Sequence, residues 1–322
     1  MPYTARLTAL AAVAGIVCAG LAGCAAPHGP AGADAIHADP VTSSPSATPT
    51  PDPAGMQAIQ TASSPRRVKA AGGALADVGT KQLLWSRQLD TERPMGSITK
   101  VMTALLVIDA GDLNREIRIP RAVLAYVAKY QGESAGLRPG DVLTARQLLY
   151  ALLLQSGCDA AYVLAMTYGP GMPAFLAKMN AKAAQLGMTQ THFTSPDGLP
   201  YPTEHSTYST PADLLTLGLA AMKLPVFRSV VSQTFYHVAK WKGHHHAYWW
   251  DNTDSLIGTY PGAVGIKDGY TNAAKHCLLF EAVRHGKTLM GVVLGSPTTG
   301  PFTGVQAATR LLNWGFALNS SA

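Results

Sequence analysis

Pro94-Met95-Gly96-Ser97-Ile98-Thr99-Lys100-Val101-Met102-Thr103-Ala104-Leu105-Leu106 is the stretch on which the fold turns. Residues 98–110 are rich in Met, Leu, Val and Ala, the pattern of a buried helix. A lysine in its first turn is therefore drawn toward the core. Ser97 and Lys100 stand three apart, so on a helix they share a face and the amine sits beside the hydroxyl. Burial disfavours the ammonium form, and a neutral amine in that place serves as general base for Ser97. The helix N-terminus favours negative charge developing near Ser97. Ser-x-x-Lys by itself recurs by chance in chains of this length. Its position at the start of a core helix is what gives it weight.

Outward from that helix, the chain reads as strands, a block of helices, strands again and a last helix. Residues 73–78 and 82–85 flank Gly79-Thr80 as a hairpin. Residues 144–154 form a helix capped by Thr144 and stopped at Ser156-Gly157, and 173–186 a helix ending at Gly187. Thr210-Pro211 opens another helix, with Pro in its first turn. Residues 230–240 and 247–252 are expected strands around a loop. Residues 264–270 and 276–283 form a hairpin across Asn272-Ala273-Ala274-Lys275, 288–294 a third strand and 303–317 a closing helix. Strands on both sides of a helical block imply an α+β domain: an antiparallel sheet packed by helices, with an inserted all-helical region.

Composition agrees. The chain has 322 residues, 47% hydrophobic and only 14% charged, so it can bury a large core and is not a wholly disordered protein. The low charge also argues against a solvated coiled coil. The net charge of +6 is spread along the chain, with no Lys/Arg run longer than Arg66-Arg67, so no nucleic-acid partner is expected.

The first 23 residues carry one charge, Arg6, ahead of an apolar run at 7–21, and read as an export signal. Leu21-Ala22-Gly23-Cys24 resembles the bacterial lipobox, which implies a diacylglycerol on Cys24 and a membrane anchor made of several acyl chains. An ordinary signal peptide cut nearby is the alternative. Residues 24–67 are rich in Pro, Ala, Ser and Thr with little to bury, and are expected to be a disordered tether for a domain spanning 68–322. Cys18 leaves with the signal, so Cys158 and Cys277 remain in the domain. Export permits a disulfide between them, but each has its own local context and two free thiols are expected.

Two further short segments carry chemistry. Ser156-Gly157-Cys158-Asp159 follows an apolar helix: Ser156 is placed to relay a proton, or else caps the helix while Gly157 takes a left-handed turn. Gly265-Ile266-Lys267-Asp268-Gly269-Tyr270-Thr271 ends a strand, where Lys267 can meet a carboxylate and Gly269 lets a ligand approach closely. An edge-strand lysine without function is the plain alternative.

Together the three segments resemble the Ser-x-x-Lys, Ser-x-Asn and Lys-Thr-Gly set of penicillin-recognising serine enzymes. Similar flanks at 94–106, 134–141, 148–161, 191–199 and 260–278 point to the low-molecular-weight penicillin-binding D-alanyl-D-alanine carboxypeptidases, peptidase family S11. The resemblance covers about residues 70–318. It implies a β-lactamase/transpeptidase-like fold and a peptidoglycan pentapeptide ending in D-Ala-D-Ala as substrate. It also implies inhibition by β-lactams, no metal or organic cofactor and a monomer on the outer face of a bacterial plasma membrane. By the same resemblance Ser97 attacks the penultimate carbonyl, Lys100 takes its proton and Ser156 passes a proton to the departing D-Ala. Lys267 anchors the terminal carboxylate. The N–H groups of Ser97 and Tyr270 hold the oxyanion, with donors of this kind contributing about 3–4 kcal/mol each.

Two residues depart from the family pattern. Cys158 stands where Asn is usual, and a thiol is a weak donor and acceptor. Asp268 stands where Thr is usual, and two anions about 4 Å apart repel by about 4 kcal/mol at an effective dielectric of 20. Either Asp268 points away, or it pairs with a nearby Lys or Arg, or the substrate differs; Thr271 is then the substitute hydroxyl. Two other functions stay open: a catalytically weakened, wall-binding lipoprotein, and a β-lactamase, for which no Glu-x-x-Leu-Asn block is present. His244-His245-His246 lacks spaced carboxylate or Cys partners for a metal. The neighbouring Trp241, Trp249 and Trp250 are expected to pack their loop, with sugar stacking open. Asp197 and His192 read as parts of a structural turn, and Glu133 as a surface acid.

Overall fold

The computed structural model describes residues 55–61, 63–297 and 303–318. The expected leader, Cys24 and the tether up to residue 54 lie outside the described residues. The remainder of the expected tether is not free. Met56 is buried, and strand β1 (Gln57–Ala58) runs parallel to β3 (Gln82–Arg87), so ordered structure begins ahead of residue 68. Met56 and Ile59, two apolar side chains in a Pro/Ser/Ala stretch, are its local signs.

β2 (Gly72–Asp77) pairs antiparallel with β3 and, on its other side, with β10 (Lys287–Ser296). β9 (Lys275–Arg284) and β8 (Ala263–Thr271) complete a six-stranded sheet of order β1-β3-β2-β10-β9-β8. Every pairing is antiparallel except β1 with β3. Alternation along the strands supplies two apolar faces. Leu75, Phe280, Leu289 and Val293 pack against Leu311 and Leu312 of α8 (Thr303–Ala317). Ala74, Ala76, Leu279, Met290 and Val292 join the core formed with the helical block.

That block holds α1 (Lys100–Ala110), α2 (Ala122–Tyr130), α3 (Ala145–Leu153), α4 (Cys158–Tyr168), α5 (Met172–Gln185), α6 (Pro211–Met222) and α7 (Pro225–Val231). α1 buries Val101, Met102, Ala104, Leu105 and Val107, each worth about 1.5–3 kcal/mol for a side chain of Val or Leu size. α3 starts at a capping box in which the Thr144 hydroxyl accepts from Gln147 N while the Gln147 side chain accepts from Thr144 N. Thr144 also ends β5 (Val142–Thr144), which pairs with β4 (Glu116–Arg118), and the strands expected at 230–240 and 247–252 are β6 (Phe235–Val238) and β7 (Tyr248–Asp251). Residues 225–231, partly assigned to a strand by pattern, are helical because Pro225 at the first turn opens α7. Cys158 and Cys277 are free, buried thiols.

Candidate active site

A 3-10 turn at Gly96–Thr99 leads into α1 and puts Ser97 half-buried at its mouth. Lys100 is fully buried one residue beyond. Its Nζ lies 2.8 Å from Ser97 Oγ and 3.0 Å from the Asp197 carbonyl oxygen. That carbonyl accepts one N–H of the amine and so aims Nζ at the Ser97 hydroxyl. Asp197 is itself fixed: Oδ2 accepts from Tyr126 OH at 2.7 Å and Oδ1 from Leu199 N at 3.1 Å. Asp197 is therefore part of the site, orienting the lysine, and not only part of a turn.

β8 runs directly beside the 3-10 turn. A Cβ on Gly269 would lie 2.7 Å from Met95 O and 2.9 Å from Ser97 N, closer than a side chain permits. Gly96, at φ +55, is also close-packed: its Cβ would lie 3.0 Å from Tyr270 N. These two glycines bring the backbone N–H groups of Ser97 and Tyr270 to neighbouring positions at the cleft, as an oxyanion site requires. Gly265, at φ +125, sits at a register shift between Ala263 and Gly265. Lys267 and Gly269, two apart on the strand, lie on the same side.

One cleft of about 280 Å³ is bordered by Ser97, Ser156, Cys158, Thr253, Asp268 and Tyr270 among others. Ser156 takes the left-handed conformation, at φ +59, while Gly157 at φ −63 opens α4. This corrects the expected C-cap on Gly157. Gly157 is needed for space: its Cβ would meet Asp159 Oδ1 at 2.6 Å and Ala135 Cβ at 2.7 Å. Asp159, buried, accepts from Ser134 Oγ and from the N–H groups of Ala135 and Leu137. It thereby pins the loop that carries Gln131, Gly132 and Glu133 along the cleft. Burial pushes the Cys158 thiol up to about 12, against the opposing pull of Lys100, so this neighbour of the lysine is an uncharged thiol. Glu133 is exposed on the rim, and its carbonyl accepts from Cys158 N at 2.7 Å.

At the other end Lys267 is buried, and Asp268 pairs with it. Adjacent strand residues point to opposite faces, but the four-carbon lysine stem is long enough for its ammonium to reach Asp268 Oδ1. The Thr253 hydroxyl lies 2.7 Å from the same Oδ1 and 3.3 Å from Lys267 Nζ. Burial raises the Asp268 carboxyl, yet the Lys267 charge and these hydrogen bonds outweigh it and hold the group below the usual range. Behind this pair Asp254 is buried, with Oδ2 lacking any partner. Burial first, and the Asp268 charge second, push its carboxyl up to about 7. Thr271, the expected substitute hydroxyl, does not border the cleft; its Oγ1 accepts from Ala274 N at 3.0 Å and closes the turn. Thr253 stands there instead. No local pattern in the sequence marked it, because its partners are in β8.

The aromatic and histidine cluster lies apart from these residues. Trp250 is buried and donates to the Ala135 carbonyl at 2.9 Å, whereas Trp241 and Trp249 are exposed and stack on His244 and Phe235. His246 holds Asp141 through both its N–H and Nδ1. His192 pairs through its backbone with Tyr208.

Residues 58–298 match the family model of peptidase S11, D-alanyl-D-alanine carboxypeptidase. A D-alanyl-D-alanine carboxypeptidase of a Streptomyces species is 41% identical over 266 residues, covering 78% of this chain and 88% of that protein. One from Mycobacterium tuberculosis is 41% identical over 251 residues, covering 77% and 82%. The crystal structure of a Streptomyces DD-transpeptidase superposes with a TM-score of 0.74 at 39% identity, over 79% of this chain and all of the other.

Proposed function

The chain belongs to peptidase family S11, the D-alanyl-D-alanine carboxypeptidases, and from that premise we propose that Ser97 is the nucleophile of an acyl transfer on peptidoglycan stem peptides ending in D-Ala-D-Ala. The observation that carries the assignment is the 2.8 Å approach of the buried Lys100 amine to Ser97 Oγ. Lys100 takes the hydroxyl proton as Oγ bonds to the penultimate D-Ala carbonyl carbon. The N–H groups of Ser97 and Tyr270 stabilise the oxyanion. The C–N bond then breaks, and the departing D-Ala amine receives the proton through Ser156. Water attacks the resulting ester and frees Ser97. A β-lactam enters by the same attack and leaves a covalent acyl group on Ser97. Gly269 keeps the ligand close to the strand, Cys158 fills the wall next to Lys100, and Lys267 acts on the ligand's carboxyl end through its pair with Asp268.

The leader and the lipobox-like segment support export and lipid attachment at Cys24, with the domain acting as a monomer at the outer face of the membrane. Radiolabelled palmitate carried by the full chain and lost in Cys24→Ala tests that part. For the reaction, N-acyl-L-Lys-D-Ala-D-Ala is incubated with the protein and with Ser97→Ala. D-Ala release by the first and none by the second is the expected result. No release by either, or equal release by both, removes the assignment.

A further inference from the structure

At its Cys158 end the cleft is bordered by Gln131, Gly132 and Glu133, and the same loop runs on to Gly140 and Asp141. Those two residues line a depression of about 230 Å³ at the tip of the β6–β7 hairpin. Two bonds fix the loop between the sites: Trp250 Nε1 donates to Ala135 O at 2.9 Å, and Arg138 N to Tyr248 OH at 3.1 Å. The tip is held as well. Val142 N donates to His244 O at 2.9 Å, and His246 holds Asp141 through its backbone N–H and Nδ1, both at 3.0 Å. From this frame Lys240, Trp241 and Lys242 stand exposed in succession. The hairpin's other two exposed rings cover each other: Phe235 and Trp249 are stacked with centroids 4.5 Å apart, and Trp249 Nε1 donates to Asp251. Trp241 stacks by one face on His244, at 3.7 Å between centroids, and still leaves 54% of its surface exposed. A fixed aromatic face left in water marks a binding surface. Its charge is positive. Arg118 NH1 donates to Gly140 O and adds a third cation to the two lysines, while the carboxylate of the lining, Asp141, is spent on His246 and the Tyr248 hydroxyl.

We propose that the hairpin tip is a docking surface for the peptidoglycan strand itself: a sugar ring packs its C–H face on the open side of Trp241, and a stem-peptide carboxylate lies against Lys240 and Lys242. The proposal rests on the peptidoglycan reading of the cleft and places the remainder of that polymer. The direction follows from the cleft. The ligand's carboxyl end lies toward Lys267, so the acyl-donor side leaves past Cys158 and residues 131–133, and in peptidoglycan the glycan strand is on that side of the stem peptide. The loop continuing from there to Gly140 and Asp141 leads to the tip. A short soluble peptide uses the cleft alone, whereas the polymer engages both sites at once and gains from the second contact.

The test uses insoluble peptidoglycan freed of phosphodiester-linked polymers by hydrofluoric acid. Sedimentation with it and D-Ala release from it are compared for the protein, for Trp241→Ala and for the double variant Lys240→Ala/Lys242→Ala. Each variant is expected to bind about tenfold more weakly and to release D-Ala more slowly in proportion. Their kcat/KM for soluble N-acyl-L-Lys-D-Ala-D-Ala and their labelling by a fluorescent penicillin are expected to match the unaltered protein, which also shows that they are folded. Unchanged sedimentation and release in both variants overturns the docking surface. So does binding that requires the phosphodiester polymers, or binding that phosphatidylglycerol vesicles reproduce and the stripped peptidoglycan does not. If penicillin does not label the protein and the soluble substrate stays intact, while sedimentation still depends on Trp241 and the two lysines, the acyl-transfer reading falls and the docking surface stands.

Discussion

Lys100 and Lys267 are both buried, one behind Ser97 and the other behind Asp268, two residues that border the same cleft. The neighbours of Lys100 are a hydroxyl, a carbonyl and an uncharged thiol; the neighbours of Lys267 are a carboxylate and a hydroxyl. Lys100 is placed to exchange a proton with the Ser97 hydroxyl, and Lys267 to balance the charge of Asp268. The two lysines are thus assigned different work, proton transfer at one end and charge balance at the other, by what the fold puts beside them.

The strongest way to break this contrast is Lys100→Ala. Loss of a positioned base is expected to slow acylation by a fluorescent penicillin by on the order of 10³-fold. A rate near that of the unaltered protein would show that Lys100 is a bystander. Gly269→Ala comes next. Its methyl would collide with Met95 O and Ser97 N, and the displaced strand is expected to cost about 100-fold in the same assay. An unaffected rate would mean that β8 does not set the site.

Asp268→Thr sharpens the contrast by gain. It frees the Lys267 charge for the penicillin carboxylate, and acylation is expected to rise about tenfold. No gain would mean that the ion pair does not restrain Lys267.

Asp254 probes the same end through stability. Its carboxyl is raised from 3.8 to about 7 in the folded chain, by burial and then by the Asp268 charge. A raised folded pKa gives stability that is full below about pH 4 and is lost as pH climbs toward 7, at about 1.4 kcal/mol per pH unit in that window at most. Asp254→Asn cannot ionise, so urea unfolding is expected to show the variant gaining on the parent between pH 4 and pH 8. A difference that stays constant across that range would contradict the assignment. The smallest effect concerns the thiols. Burial holds both Cys158 and Cys277 at about 12, and a colorimetric thiol reagent at pH 8 is expected to react with neither until the domain unfolds. Fast reaction of Cys158 in the folded protein would show a more open, more polar Lys100 end.

Much of this was legible locally. Ser97 and Lys100 share a turn, so their meeting follows from helix geometry alone. Thr144 announced α3 as its N-cap, and the hairpin of β8 and β9 was expected across Asn272-Ala273-Ala274-Lys275. What escaped depended on distance along the chain. Asp197 meets Lys100 across 97 residues and Thr253 meets Asp268 across 15, and no periodicity encodes such contacts. The left-handed residue was placed on Gly157 because glycine tolerates that conformation best. The close approach of Ala135 and Asp159 decided otherwise, reserving the glycine for space and leaving the turn to Ser156. The pairing of Asp268 with Lys267 was one of several outcomes the sequence permitted, since alternation alone would part the two side chains.

The most direct measurement of the central claim is intact-protein mass spectrometry after incubation with benzylpenicillin, followed by peptide mapping. The account predicts a single adduct of one penicilloyl group, located on Ser97 and absent from Ser97→Ala. An adduct on another residue, or one that survives in Ser97→Ala, would contradict it.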